Sequence, residues 1–145
     1  MNTANHKTFT FDKIQIFFKH TDYHGYVHPY NYLEWTSYVR EAFFQKTVPN
    51  FREILDQSIK MMTARISSEF FVDSAFGDFL EARMTIAKIK KVSFDVIVRF
   101  FKEVGNQMVC TTRHTLVFVD SETQKFADIP FDLKKAVSQY QEDES

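Results

Sequence analysis

The sequence predicts an α+β fold in which a five-stranded antiparallel sheet wraps one long central helix. Three observations predict it. A strongly apolar segment of helical period runs from about Tyr30 to Lys46. Beyond Asp56 the hydrophobic period changes to two and stays there as far as Val119. The connections between the period-two segments are short, as antiparallel hairpins require.

The elements follow in order. Phe9 to Phe18, rich in Phe and Ile, reads as a first strand. A loop containing Asp22 and Gly25 leads into the helical segment, where Tyr32, Leu33, Trp35, Tyr38, Val39, Ala42, Phe43 and Phe44 cover well over half the circumference. Glu34, Ser37, Glu41 and Gln45 form the narrow polar stripe. A helix this apolar is wrapped by the fold rather than laid on its surface. Val48-Pro49-Asn50 ends it, and Asn50 is placed to cap a short helix through Asp56. Four strands follow. Met62, Ala64, Ile66, Phe70 and Val72 alternate with polar residues; Leu80 to Ile86 and Phe94 to Phe101 do likewise; Met108 to Val119 forms the last strand. The turns are Phe76-Gly77-Asp78, Lys90-Lys91 and Gly105-Asn106. Residues from Pro130 to about Tyr140 read as a terminal helix with Pro in its first turn, and the acidic end after it as a solvated tail. Exposed sheet edges need covering, so pairing of two copies through an edge is expected.

Composition narrows the function classes. The 145 residues suit one domain, with a core from about residue 9 to 140. Seventeen Phe, six Tyr and one Trp supply an unusually bulky core or an apolar ligand channel. The net charge of −1 carries no global footprint for nucleic acid or an anionic membrane. A lone Cys110 cannot form an internal disulfide, no run approaches membrane-spanning length, and the N-terminal residues lack an apolar leader core. The expected setting is the cytoplasm.

Chemistry concentrates between Thr21 and Arg40. Asp22 sits in a tight loop that opens onto a helix N-terminus, which brings a carboxylate beside a site that stabilises negative charge. Acyl transfer needs both together. The alternative is a turn Asp that only caps its loop. His20, His24 and His28 recur every four residues, but Gly25 and Pro29 interrupt any helix that would align them, so no metal site is expected. His24 or His28 can instead relay a proton or donate to substrate. Arg40, on an otherwise apolar helix, must be paired: it either anchors a carboxylate or reaches into the site.

The pattern Thr21-Asp22-x-x-Gly25-x-Val27-x-x-x-Asn31-Tyr32-Leu33 resembles the signature of hotdog-fold thioesterases of the 4-hydroxybenzoyl-CoA thioesterase type. Phe76-Gly77-Asp78 is similar to that family's Gly-Asp before the third strand, and Asp120 to Pro130 to its connection into the last helix. The stretch from Asn31-Tyr32-Leu33-Glu34-Trp35 to Val39-Arg40-Glu41 looks most like the stand-alone thioesterases of enediyne polyketide pathways. Those proteins carry Asn in place of the loop carboxylate and rely partly on the Arg that matches Arg40. Many bacterial acyl-CoA relatives carry a Glu where Ser37 stands.

The resemblance implies hydrolysis of an acyl-CoA or acyl-carrier-protein thioester to free acid and thiol. It implies a hotdog fold, Asp22 as general base or nucleophile, and Arg40 in support. No metal or redox cofactor is implied, since CoA or phosphopantetheine arrives as part of the substrate. In the family an amide at the position of Pro29 commonly polarises the carbonyl. Proline has no N–H, so that contact must move to a neighbouring amide (His28 or Tyr30), to a side chain such as that of His28, or to a water. Gly25, Val27 and Tyr32 would bind substrate at the loop, and Trp35, Met62 and Phe70 would line an acyl channel unless they are only core. Lys90 and Lys91 would meet the phosphates, with Lys88 and Arg83 nearby, or form a solvated hairpin tip. A homodimer, further assembled as a dimer of dimers into a homotetramer, is the implied assembly. In it, the strand from Met61 to Val72 of one subunit faces the Asp22 loop of the other. Two other readings remain: a non-hydrolytic acyl-binding or polyketide-pathway partner protein, and a hotdog hydratase or dehydratase. The second lacks its His-x-x-x-Gly-x-Pro signature.

Overall fold

Five antiparallel strands form one sheet in the computed structural model, which describes residues 6–55 and 58–143. They are β1 (Phe9–Gln15), β2 (Ile59–Phe70), β3 (Phe79–Ala87), β4 (Ser93–Lys102) and β5 (Met108–Asp120). Their spatial order is β1-β3-β4-β5-β2. The helices are α1 (Tyr30–Thr47), α2 (Phe51–Leu55) and α3 (Phe131–Ser138). This is the expected α+β architecture, with α1 packed against the sheet.

The period-two pattern explains which face α1 meets. Leu80, Ala82, Met84 and Ile86 of β3, Phe94, Val96, Val98 and Phe100 of β4, and Cys110, Leu116 and Phe118 of β5 are all fully buried. They join Tyr32, Trp35, Val39, Phe43 and Phe44 of α1 in one core, completed by Leu133 and Val137 of α3. Phe43 lies edge-on to Tyr140, and Phe44 stacks on Phe51, so the two short helices close over the C-terminal half of α1. Removing a ring such as that of Phe43 from this packing costs about 3–5 kcal/mol.

Several local expectations change. The first strand stops at Gln15, because Phe18–His20 turns into a single 3-10 turn that leaves Phe17 and Phe18 exposed. Tyr38 is exposed rather than part of the apolar surface of α1. Its spacing from Glu34, Glu41 and Gln45 puts it on their polar stripe, where its hydroxyl donates to Glu34 at 3.1 Å. The short helix ends at Leu55, and the Asp56 boundary lies outside the described residues. The Asn50 side-chain amide donates to Asp132 at 3.5 Å, and its side-chain oxygen accepts no amide of α2 among the described residues. The period-two pattern of β2 does not bury one face. β2 is an edge strand, and Met62, Ile66 and Phe70 are 40%, 48% and 51% exposed.

The outer face of the sheet carries charge pairs. Arg113 bonds Asp95 at 2.7 Å, and Arg83 pairs with Glu81 while also donating to Asn106 and stacking over the ring of Phe101. Arg83 is therefore engaged beside the β4–β5 turn, away from the Lys88–Lys91 hairpin with which the sequence grouped it. The acidic C-terminus is docked as far as Glu142. Ile86 exchanges backbone bonds with Tyr140 and Glu142, and the Glu142 carboxylate accepts both terminal nitrogens of Arg99 at 2.8 and 3.0 Å and the hydroxyl of Thr85. Charge alone suggested a solvated tail, but a bidentate partner on the sheet holds it. Glu142→Gln is expected to lower the unfolding free energy by about 1–2 kcal/mol. Denaturant unfolding of the two proteins checks this, and coincident curves would mean that the docked end contributes nothing.

Candidate active site

The loop before α1 is folded around one carboxylate. Asp22 donates its amide to the Tyr26 carbonyl at 2.8 Å, and the Gly25 amide returns to the Asp22 carbonyl at 3.0 Å. Gly25 has φ of +86°, a conformation that a side chain would strain. The Asp22 Oδ1 accepts the His24 amide at 2.9 Å and the Tyr26 amide at 3.2 Å. Its Oδ2 has no hydrogen-bond partner among the described residues. Asp22 thus does cap its loop, with one oxygen, and leaves the other oxygen free.

Two buried polar side chains hold this loop to the helix and sheet. The Asn31 amide donates to the His20 carbonyl at 2.7 Å and to the His28 carbonyl at 3.1 Å, which closes the loop across its base. Ser74 accepts the Val27 amide on its carbonyl at 2.8 Å and the Tyr32 hydroxyl on its own at 3.2 Å. Burial pushes the Tyr32 phenol up to about 12, so it stays a neutral donor. Ser74 carries no sequence signal and was missed.

The helix start has few spare donors. Pro29 is the N-cap residue, in a helical conformation, and has no N–H. The His28 amide, one of the two neighbouring amides expected as a replacement, is spent on the His20 carbonyl at 2.9 Å. The Asn31 and Tyr32 amides turn back to the His28 and Pro29 carbonyls. The Tyr30 amide is left with no partner among the described residues. Desolvation raises the pKa of Asp22, but the His24 and Tyr26 amides and the nearby His24 and His28 side chains outweigh it. The net shift is downward, and the carboxylate is ionised at neutral pH.

The other singled-out residues are distributed as follows. His20 accepts the Phe17 amide and packs edge-on to Trp35, His24 lies against Tyr23, and His28 against Tyr30. Tyr32 contacts Trp35, Phe70 and Phe100, so Phe70 at the end of β2 touches the aromatic cluster directly behind the Asp22 loop. Val27, Tyr32 and Trp35 are buried core residues. Met62 lies exposed on β2, and Lys90 and Lys91 are exposed at the β3–β4 turn. Among the described residues no helix is long and apolar enough to cross a membrane.

Arg40 stands apart from Asp22. It lines a cavity of about 640 Å³ between the second half of α1, α2 and the start of β2, together with Phe44, Val48, Phe51, Leu55 and Met61. It has no carboxylate partner among the described residues, contrary to one sequence expectation. Its Nη1 donates instead to Thr63 Oγ1 at 3.1 Å and bonds His114 Nδ1 at 3.0 Å. A guanidinium only donates, so Nδ1 must accept and the proton of a neutral His114 must sit on Nε2. That Nε2 is buried without a partner among the described residues, an arrangement that costs about 1–3 kcal/mol. His114 was also missed, although its inward place in the alternation of β5, between Thr112 and Leu116, was legible.

The chain belongs to the Thioesterase-like superfamily, whose model matches residues 16–137. It is thereby a hotdog-fold enzyme of the thioester-hydrolase class. Among solved structures it is similar to a 1,4-dihydroxy-2-naphthoyl-CoA thioesterase from Synechocystis, with 19% identity, a TM-score of 0.80, and 91% of this chain and 96% of that one covered. The dynemicin thioesterase matches at 18% identity and a TM-score of 0.85, over 95% of this chain and 100% of the other. A hypothetical protein from Staphylococcus aureus in complex with CoA matches at 15% identity and a TM-score of 0.85, over 100% and 92%. No curated protein matches the sequence.

The buried neutral His114 makes stability depend on pH. Burial, then the Arg40 charge, lower the His114 pKa from 6.5 to about 4. The folded state therefore keeps it neutral while an unfolded chain protonates it near 6.5. Its contribution is fully present above pH 6.5 and is lost as pH falls toward 4, by about 3 kcal/mol in all. Unfolding free energies measured across that range should show the slope in wild type and a flatter one in His114→Leu; equal slopes would refute the assignment.

Proposed function

We propose that the protein hydrolyses an acyl thioester, carried by CoA or by the phosphopantetheine of a carrier protein, to the free acid and the thiol. One observation carries the reading: Asp22 has one oxygen fixed by two amides and the other free, beside a helix N-terminus whose Tyr30 amide is unpaired. The depressed pKa favours the nucleophile role over the base role. A general base works best with a pKa near the operating pH, whereas attack needs only an ionised carboxylate. Asp22 attacks the thioester carbonyl, the thiolate leaves and takes a proton, and water hydrolyses the resulting mixed anhydride. The Tyr30 amide receives the oxyanion. No metal or redox group enters this sequence of steps.

The edge position of β2 supports a dimer. Two copies paired antiparallel through β2 about a two-fold axis set the Phe70 end of one strand beside the Ile59 end of the other. The Phe70 end touches the cluster behind the Asp22 loop, and the other end carries Met61 and the Arg40 cavity. The acyl group held at one Asp22 loop then points toward the cavity of the partner subunit. Arg40 lies ten residues beyond Tyr30, about 15 Å along the helix, too far to serve the reacting carbonyl of its own subunit; across the paired edge it faces the acyl portion held at the other subunit's loop. Lys90 and Lys91 offer simple charge attraction to the phosphates of the carrier. A dimer of dimers in a cytoplasmic, polyketide-type setting extends the same reading through the resemblance to enediyne thioesterases.

Asp22→Asn keeps the amide-accepting oxygen and removes the nucleophile. Thiol release from a panel of aliphatic and aromatic acyl-CoAs should fall by about a thousandfold or more. Turnover at the wild-type rate would remove Asp22 from the mechanism. Ile66→Glu places charge on the paired edge and should yield a monomer by light scattering, with turnover lost. A dimer with full activity would place the interface elsewhere.

A further inference from the structure

The guanidinium of Arg40 is held in an unusual way. Nη1 spends its two hydrogens on neutral acceptors from two strands, Thr63 of β2 and His114 of β5. The remaining donors of the fork, on Nε and Nη2, have no acceptor among the described residues. Among the described residues no carboxylate forms an ion pair with it, and the group lines the 640 Å³ cavity beside Phe44, Phe51, Leu55 and Met61, with Glu41, Arg52 and Glu53 also on the cavity wall. A desolvated Arg is ordinarily satisfied by a carboxylate. Here the acceptors fix the plane of the guanidinium, Glu41 offsets part of its charge without bonding it, and three of its five N–H groups stay unspent.

The bond between Arg40 and His114 is also maintained against a cost. It exists only with the proton of His114 on Nε2, where that proton is buried without a partner. An apolar residue would pack at position 114 without that defect. Buried polar groups left unsatisfied in this way call for an explanation in function.

We propose that His114, with Thr63, is a positioning residue that presents the free edge of Arg40 to the cavity, and that this edge selects acyl groups bearing an oxo or carboxylate oxygen remote from the thioester. The inference rests on the thioesterase reading for its substrate and on the Arg40 cluster for its chemistry. An oxygen acceptor in the chain receives two parallel N–H groups in the bidentate geometry of a guanidinium. A plain alkyl chain in the same cavity leaves those donors unpaired and is disfavoured.

The test compares matched acyl-CoAs of equal length: a saturated chain, the same chain carrying an oxo group, and the same chain ending in a carboxylate. The two oxygenated arms distinguish a neutral from an anionic acceptor. Wild type should prefer at least one of them by about tenfold or more in kcat/KM. His114→Leu should reduce the preference to near unity while retaining turnover of the saturated chain, and His114→Asn, whose Oδ1 replaces Nδ1 as acceptor, should restore most of it. Thr63→Val should weaken it in the same sense, and serves if His114→Leu does not fold. The double variant Arg40→Ala/His114→Leu should match Arg40→Ala alone. Retained preference in His114→Leu, equal losses on all three substrates, or additive losses in the double variant would each overturn the proposal. If wild type turns over none of them, the hydrolase reading fails separately. Uncleavable thioethers of CoA bearing the same three chains, the saturated one free of any carboxylate, are then competed against a fluorescent acyl-CoA. A preference for the oxygenated chains that depends on Arg40 and His114 sustains the proposal, and equal affinities overturn it.

Discussion

A helix that buries Tyr32, Trp35, Val39, Phe43 and Phe44 against β3, β4 and β5 cannot roll or slide without opening voids in a close-packed core. The N-terminus of α1 is thereby a fixed point, and the loop that precedes it must be built onto that point. Asn31 does this with one amide shared between the His20 and His28 carbonyls, and Ser74 ties the far side to the turn before β3. Each such bond contributes only about 1 kcal/mol, well below the packing of a single ring. The apolar surface holds the molecule together, and the polar bonds decide where the Asp22 carboxylate points.

The same interface contains a polar seam. Thr36 and Arg40 stand one turn apart on α1, and Thr112 and His114 two residues apart on β5. They meet pairwise, Thr36 with Thr112 at 2.6 Å and Arg40 with His114 at 3.0 Å. Four helical residues rise about 6 Å and two strand residues about 7 Å, so the spacings match closely enough for both bonds to form. The packed rings already resist sliding, and two hydrogen-bonded pairs in series hold the register more sharply, because each is lost over a small shift. The seam sets the register of α1 along β5 and so relates the Arg40 cavity to the loop end of the helix.

Period and composition made the strands, the long helix and the buried faces of β3, β4 and β5 legible, because burial on one face writes itself into alternate residues. They misled at β2. Its Met62, Ile66 and Phe70 alternate as a core strand would, yet they stay exposed in the single chain, since alternation records that a face is covered and not by what. Charge misled at Glu142 and Arg83, whose partners lie across the sheet. Glu142 meets Arg99, 43 residues earlier in the chain, and no local pattern reports such a pair. Asp22 and Gly25 stood out through their spacing. His114 was visible as an inward-facing residue of β5, but its bond to Arg40 spans 74 positions and belongs to the fold alone.

Pro29 shows how a departure from a motif is absorbed. It removes one amide from the helix start, and the local turn then consumes those of His28, Asn31 and Tyr32. Among the described residues, what is left there is the free N–H of Tyr30, in the field of the helix terminus. A site with one oriented donor stabilises an oxyanion less than a site with two, by about 3–4 kcal/mol for each donor lost. Thioesters tolerate such a site better than amides or oxygen esters do, because sulfur contributes little resonance to the carbonyl and thiolate is a good leaving group. On the proposed mechanism, a weak oxyanion site beside an ionised carboxylate would therefore itself be selective: it would suffice for an acyl thioester and fall short for the more stable acyl compounds around it.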